Sequence, residues 1–139
     1  QVRVAAVRVH YPGRLSRHEL KGSTVFVDSA VSRDGFENAL AHVERETGAP
    51  PPLTLVSVPR TKDLTGFRAV AARLPGRVVF VALERVHLHY PERSEWHGEW
   101  ATAADLTALL RAAPVVLAIG TASFSAEVLR QLGVDTDRV

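Results

Sequence analysis

The sequence contains no cysteine among its 139 residues. This absence excludes a disulfide framework, a thiolate nucleophile and a metal site with cysteine ligands. No apolar run approaches the roughly 18–20 residues that cross a bilayer, so we expect no membrane partner. No signal-peptide pattern is visible either, and the expected location is therefore cytoplasmic.

Lysine is scarce, since it occurs only at Lys21 and Lys62. The other basic residues are arginines, which suit bidentate contacts with carboxylate or phosphate, although the base composition of a GC-rich genome explains the same bias. The 17 basic residues nearly balance the 15 acidic ones. Because the arginines are spread along the chain and form no basic cluster, nucleic acid is an unlikely partner.

The length and composition are those of one ordinary globular domain with its own core. The apolar fraction is 46% and the charged fraction is 23%, both close to the averages for such proteins. The sequence begins with Gln1 and not with methionine. We expect residues 1–139 to form a single α/β domain, and the start without methionine is expected either of a domain excised from a longer chain or of a trimmed protein.

Hydrophobic patterns predict strands separated by amphipathic helices. An interrupted alternation indicates a strand over residues 2–10, and residues 16–19 match a capping box that predicts one helical turn. Short apolar runs predict further strands over residues 24–27, 53–58, 78–83 and 115–119. The strand at 78–83 is expected to continue to Tyr90.

Helices are predicted between these strands. Phe36, Ala39, Leu40 and Val43 fall on one helical face, with Asp34 as the N-cap and Gly48 as the stop. A second capping box at Thr102 and Asp105 predicts the start of a helix that has Leu106, Leu109, Leu110 and Ala113 on one face. The two other predicted helices carry two further sets of apolar residues: Leu64, Phe67, Val70, Ala71 and Leu74; Val128, Leu129 and Leu132.

This order predicts a three-layer α/β/α sandwich, either Rossmann-like or flavodoxin-like. Strands that are apolar on both faces and are each followed by an amphipathic helix indicate a mostly parallel sheet, here of about five strands. The order of the strands within the sheet is not readable from the sequence.

Ligands of open parallel sheets bind beyond the carboxyl ends of the strands. The turn of Gly120, Thr121 and Ser123 is the best anion candidate, because a small-residue turn exposes N–H groups at the start of a helix. The same residues also serve as ordinary turn and capping residues. The other predicted ligand-binding residues follow earlier strands and are Ser29, Arg33, Arg60 and Lys62.

Asp28 and Glu84 are the candidate catalytic residues, because each follows an apolar strand. They can act together in acid–base chemistry only if their strands are neighbours. Asp28 has an alternative role as a turn or capping residue.

Residues 84–100 are rich in histidine, glutamate and tryptophan. We interpret them as an extended arm whose Tyr90, Trp96 and Trp100 form a homo-oligomer contact or a lid. A metal site formed by His87 and His89 with His97 or a glutamate is the alternative.

Three hypotheses follow from the sequence. The first is a domain that binds a phosphorylated or nucleotide-like small molecule at the strand ends, and its cofactor is unknown. The second is a non-catalytic interaction or oligomerisation domain that uses residues 84–100. The third is a metal-dependent hydrolase or nuclease built on Asp28, Glu84, His87 and His89. Whether the domain is an enzyme stays undecided at this point.

Overall fold

The structure is a computed structural model, and it describes residues 13–83 and 89–134. The strand predicted over residues 2–10 lies outside the described residues. The strands are β1 (Ser16–Leu20), β2 (Ser23–Ser29), β3 (Leu53–Ser57), β4 (Arg77–Ala82), β5 (Glu99–Thr102) and β6 (Val115–Gly120). The helices are α1 (Arg33–Thr47), α2 (Leu64–Arg73), α3 (Arg93–Trp96), α4 (Leu106–Leu109) and α5 (Ala122–Gln131), with a 3₁₀ turn at Ala103–Asp105.

All six strands belong to one sheet, in the order β1-β2-β6-β3-β4-β5. β1 runs antiparallel to β2, and every other neighbouring pair is parallel. The predicted α/β fold with a mostly parallel sheet is therefore confirmed. The apolar strands β2, β6, β3 and β4 lie side by side at its centre and point in the same direction.

Helices cover the sheet on both faces, as predicted for three layers. On one face, Phe36 of α1 and Phe67 of α2 pack against Phe26, Phe80 and Ile119 of the sheet. The opposite face carries a second cluster, which combines sheet valines with side chains of α4 and α5; the helical members are Leu106, Leu109, Leu110, Phe124, Val128 and Leu129. Alternate residues of each central strand enter alternate clusters, because successive side chains point to opposite faces.

The predicted helix over Phe36 to Val43 is confirmed, but it begins at a different residue. Ser32 is the N-cap, since its side chain accepts a hydrogen bond from the Gly35 N–H at 3.1 Å. Asp34 lies within the first turn. Gly48 ends the helix as predicted, with a left-handed φ of 85° that a residue without a side chain adopts at little cost.

The helical turn predicted at residues 16–19 is wrong, because these residues form β1. The Ser16 hydroxyl accepts a hydrogen bond from the Gly13 N–H at 2.9 Å and does not cap a helix. Ser16 is buried, Arg17 is exposed and His18 is half-buried, which is the two-residue alternation of a strand. A turn at Lys21 and Gly22 follows Glu19 almost directly, and the apolar run after it forms β2, so the capping box has no helix to begin.

The region after Glu84 also differs from the prediction. Residues 84–88 lie outside the described part of the chain, and the strand predicted to run on to Tyr90 does not include His89 or Tyr90. The unpredicted strand β5 forms the edge of the sheet instead. The capping box at Thr102 and Asp105 is confirmed, but α4 is only one turn long.

The backbones of β6 and β3 approach closely at their carboxyl ends. Gly120 pairs with Ser57 in the parallel register, and the Thr121 N–H donates to the Ser57 carbonyl at 3.1 Å. A Cβ atom at Gly120 would overlap that carbonyl oxygen and crowd the Ser57 backbone. A side chain at this position therefore requires the two strands to separate.

Gly120→Ala is expected to lower the free energy of unfolding by about 3 kcal/mol, since overpacking against rigid backbone is costly. Gly133→Ala is the matched control. Gly133 has a left-handed φ of 77° and open space around its Cα. The free energy of unfolding of this variant should therefore fall by only about 1 kcal/mol. Urea unfolding of both variants measures the difference. Equal losses would contradict the close approach of the two strands.

Candidate functional site

The carboxyl end of β6 lies between two strands whose helices leave on the other side of the sheet. α1 follows β2 and α2 follows β3, and both helices pack on one face. α5 follows β6 and packs on the opposite face. A crevice opens where neighbouring connections leave on opposite sides, and this is where open α/β sheets bind ligands. The topology therefore points to the end of β6.

Three small residues form a row across this end of the sheet. Ser29 of β2, Gly120 of β6 and Ser57 of β3 are neighbours in the register. By strand alternation all three belong to the face covered by α5. The Ser29 hydroxyl donates to the Ser125 hydroxyl of α5 at 2.8 Å. Ser29 therefore fixes α5 above the row, and its hydroxyl is already used.

The first N–H groups of α5 are available to a ligand. Thr121 is the N-cap, and its side chain accepts from the Phe124 N–H at 3.2 Å. Among the described residues, no group accepts a hydrogen bond from the N–H of Ala122 or Ser123. Ala122 is exposed and Ser123 is half-buried. The helix dipole adds a favourable field for an anion here.

The Ser57 side chain is fully buried beside this turn. Its hydroxyl has no hydrogen-bond partner in the described part of the chain. Most buried polar side-chain atoms have a partner, and one without a partner calls for an explanation. A ligand group that reaches the end of β3 would provide one.

Asp28 occupies the same edge of the sheet but faces the other side, towards α1. It pairs in register with Ile119 and is only 7% exposed. One carboxylate oxygen accepts a hydrogen bond from the Leu15 N–H at 3.2 Å. Arg14 and Asn38 line a cavity of about 270 Å³ next to it. Burial raises the pKa of Asp28, and the Leu15 N–H and the Arg14 charge oppose this rise.

Asp63 joins the starts of two helices, and sequence reasoning missed it. It is the N-cap of α2 and accepts from the Gly66 N–H at 3.1 Å. Its other oxygen accepts from the Arg33 N–H at the start of α1, at 2.9 Å. A side chain at Gly66 would overlap the carboxylate. Asp63 thereby ties the loop after β2 to the loop after β3.

The structure places the predicted cations in different surroundings. Arg33 begins α1, and its guanidinium lies 3.8 Å from a Glu37 carboxylate oxygen. Arg60 pairs with Glu95 at 2.6 Å. Lys62 is exposed and forms no ion pair within the described residues. Arg60 and Lys62 line a cavity beside α2 and α3, whereas Asp28 lines a different one.

The candidates from residues 84–100 are only partly described. Glu84 and His87 lie outside the described residues, so the proposed pairing of Glu84 with Asp28 stays a prediction. His89 is exposed. Within residues 13–83 and 89–134, no group of three or more histidine, aspartate or glutamate side chains is arranged to hold a metal ion.

The aromatic residues of this region fold back onto the sheet, and the extended arm expected for them is wrong from residue 89 onward. Trp96 is 4% exposed and belongs to the core. The rings of Tyr90, Trp96 and Trp100 all contact Phe80, and Trp100 stacks on it with ring centres 4.7 Å apart. Trp96 therefore cannot be an exposed anchor of an oligomer, and an oligomer contact through the half-buried Tyr90 and Trp100 stays a prediction.

A comparison with protein-family models finds no match, and a comparison with curated protein sequences finds none either. Solved structures do match. Folylpolyglutamate synthase from Mycobacterium tuberculosis, complexed with ADP and AMPPCP, aligns with 96% of this chain at a TM-score of 0.70 and 18% identity. The same enzyme from Thermotoga maritima aligns with 95% at a TM-score of 0.70 and 17% identity. UDP-N-acetylmuramate–alanine ligase from Thermotoga maritima aligns with 87% at a TM-score of 0.56 and 15% identity.

These likenesses show the fold. The chain covers 35%, 33% and 30% of the three proteins, so it spans about one third of their length. Their identities to this chain are low, and fold alone does not carry function. In the described ranges 13–83 and 89–134, no helix has the length and apolar character needed to cross a membrane.

Asp28→Asn is expected to raise the free energy of unfolding at pH 7. Because burial raises the pKa of Asp28 above its ordinary 3.8, the carboxyl stabilises the fold below that pH, and this contribution is lost as the pH rises through the folded-state pKa. The amide keeps an acceptor for the Leu15 N–H and carries no charge. The gain should therefore shrink as the pH falls towards 3.8.

Chemical denaturation at several pH values measures this gain. Asp34→Asn is the control, since Asp34 is exposed in the first turn of α1, where a negative charge is favourable. Its removal should lower stability slightly at pH 7. An Asp28→Asn variant that is less stable than the wild type at pH 7 would contradict the raised pKa of Asp28.

Proposed function

We propose that this domain binds a phosphorylated or nucleotide-like small molecule at the carboxyl ends of the strands. The observation that carries the proposal is the free pair of N–H groups at Ala122 and Ser123, next to the buried hydroxyl of Ser57. Helix N-termini bind phosphate through such N–H groups and the dipole. Gly120 leaves the backbone there without a shielding side chain.

Cations near the strand ends support an anionic ligand. Arg33 and Lys62 are both exposed at the carboxyl edge, and the loops that hold them are joined by Asp63. Arg60 is committed to Glu95 through a hydrogen bond of 2.6 Å. Lys62 is therefore the cation most readily directed to a bound phosphate, with Arg33 next.

Asp28 is the titratable group that this site offers for chemistry. It lies on the α1 side of β2, whereas the free N–H groups lie on the α5 side of β6. The register places Asp28 beside Ile119, one residue before Gly120. A ligand that extends over the ends of β2 and β6 can therefore contact both. A buried carboxyl with a raised pKa is suited to general acid–base work.

The similar structures support nucleotides as the first class to test. The Mycobacterium tuberculosis enzyme was solved in complex with ADP and AMPPCP. In this chain we expect the phosphates of such a ligand at the start of α5, where backbone donors recognise the shared phosphate chemistry and not the base.

Ser123→Asp tests the anion site without weakening the helix. A negative charge in the first turn of α5 interacts favourably with the helix dipole, by about 0.3–1 kcal/mol. The same charge repels a bound phosphate. The variant should therefore be as stable as the wild type or slightly more stable, and its affinity for ATP and pyrophosphate should fall at least about tenfold.

Ala126→Asp is the matched control, because it adds the same charge to the exposed side of α5 one turn further on. Its affinity should remain close to that of the wild type. Titration calorimetry with ATP, ADP and pyrophosphate measures the affinities, and thermal denaturation measures the stabilisation by ligand. A wild-type protein that binds none of the three at millimolar concentration would refute the proposal, as would equal losses in the two variants.

A further inference from the structure

A second groove lies between α2 and the turn that follows α3. It consists of two adjoining cavities. The first has a volume of about 430 Å³ and the second has a volume of about 470 Å³. Thr65, Arg68 and His97 line both of them. Such volumes are typical of small-molecule sites. Neither cavity is lined by Gly120, nor by any residue of α5. The groove is therefore distinct from the crevice at the end of β6.

The first cavity carries uncompensated positive charge. Its acidic residues are already engaged, since Glu95 pairs with Arg60 at 2.6 Å and both oxygens of Asp63 accept backbone N–H groups. Lys62 and Arg68 form no ion pair with any carboxylate of the described residues. Three cations (Arg60, Lys62 and Arg68) and two carboxylates (Asp63 and Glu95) line this cavity, so an anionic group that enters it meets a net positive charge.

The hydrogen bond between Arg68 and His97 fixes the chemistry of the imidazole. An Arg68 Nη2 atom lies 2.9 Å from His97 Nδ1. A guanidinium can only donate, so Nδ1 accepts and the ring proton is on Nε2. His97 thus offers an N–H donor beside a guanidinium that has further donors free. Together they present several donors to one oxyanion.

The second cavity has mostly apolar walls. Ala69, Ala72 and Val78 line it together with the edge of Trp96. Gly98 leaves the indole accessible from the cavity, because a Cβ atom there would lie 3.1 Å from the indole Nε1. No described residue accepts a hydrogen bond from that indole N–H. The cavity thus combines apolar contact with one unused donor.

His97 holds a backbone conformation that favours glycine. Its φ is 64°, in the left-handed region, at the end of a helix where glycine is the usual residue. A side chain costs about 1–2 kcal/mol in this conformation. Fold stability alone therefore favours glycine at this position, and the imidazole gives the groove a donor that glycine lacks.

We propose that this groove binds a small organic anion that consists of one planar ring and one carboxylate or phosphate group. The ring occupies the cavity beside Trp96 and Ala69, and the anionic group contacts Arg68 and His97. This site is independent of the phosphate site proposed at α5. Carboxylate and phosphate both accept hydrogen bonds from these donors. A carboxylate probe and a phosphate probe therefore have to be compared to find which group the site prefers.

The test uses the indole N–H signals of Trp96 and Trp100 in ¹⁵N-edited NMR spectra, assigned with Trp100→Phe. The probes are phenyl phosphate and benzoate, with phenol and inorganic phosphate as controls that lack the charge or the ring. Phenyl phosphate, benzoate or both should shift the Trp96 signal saturably. The dissociation constant from this titration should be at least about ten times lower than that of either control. The stronger of the two probes identifies the preferred anionic group.

Substitutions then assign the binding to the groove. Arg68→Gln should weaken binding at least about tenfold, whereas Arg111→Gln removes the same charge beyond α4 and should not. Ala69→Leu should abolish binding with little loss of stability, because Ala69 is exposed and the added atoms fill the groove. His97→Gly should weaken binding while the protein remains as stable or becomes more stable.

Each other outcome overturns the inference. If inorganic phosphate shifts the Trp96 signal as strongly as phenyl phosphate, the groove attracts anions by charge alone and does not recognise the ring. Binding that survives Ala69→Leu would place the probe elsewhere. Loss of binding in Ser123→Asp would assign the probe to the α5 site, whereas failure of ATP to bind at α5 leaves this groove unaffected.

Discussion

The arrangement of the domain depends on the close contact between the backbones of Gly120 and Ser57. β6 follows the other strands of the described residues along the chain, yet it lies between β2 and β3, which come from much earlier segments. The contact is possible because Gly120 has no side chain. It places the start of α5 directly after the edge of the sheet, and it brings the ends of β2, β6 and β3 into one row. The crevice with its free N–H groups is a consequence of this packing.

The elements with strong local signals could be predicted from the sequence. The apolar runs of β2, β3, β4 and β6 each had to be buried on both faces, and this implied a parallel sheet covered by helices. The glycine that ends α1 and the capping box at Thr102 are also local. The order of the strands was not predictable, because it depends on pairings between distant segments that have similar apolar composition. The capping-box pattern at Ser16 led to a wrong prediction of a helical turn, because a four-residue motif carries no information about the residues after it.

The candidate site was predictable in part. The rule that ligands bind at the carboxyl ends of strands located Asp28 and Gly120 correctly at one edge, and it could not tell which face each would occupy. Asp63 was missed because its role requires a hydrogen bond to Arg33, which lies thirty residues away. Trp96 was misread because aromatic residues are typical both of interfaces and of cores. Only the position of Phe80 in the folded sheet decides between these environments.

The two proposed anion sites differ in what the sequence can reveal about them. At α5 the donors are backbone N–H groups, so many different residues could form the same site and little of it is visible in the sequence. In the groove beside α2 the donors are side chains, and Arg68 and His97 must be those residues for the recognition to occur. The donors at α5 are set by the order of the strands and the direction of the helix, so the fold itself provides them. The groove depends instead on the identity of Arg68 and His97, so the fold alone does not provide its donors.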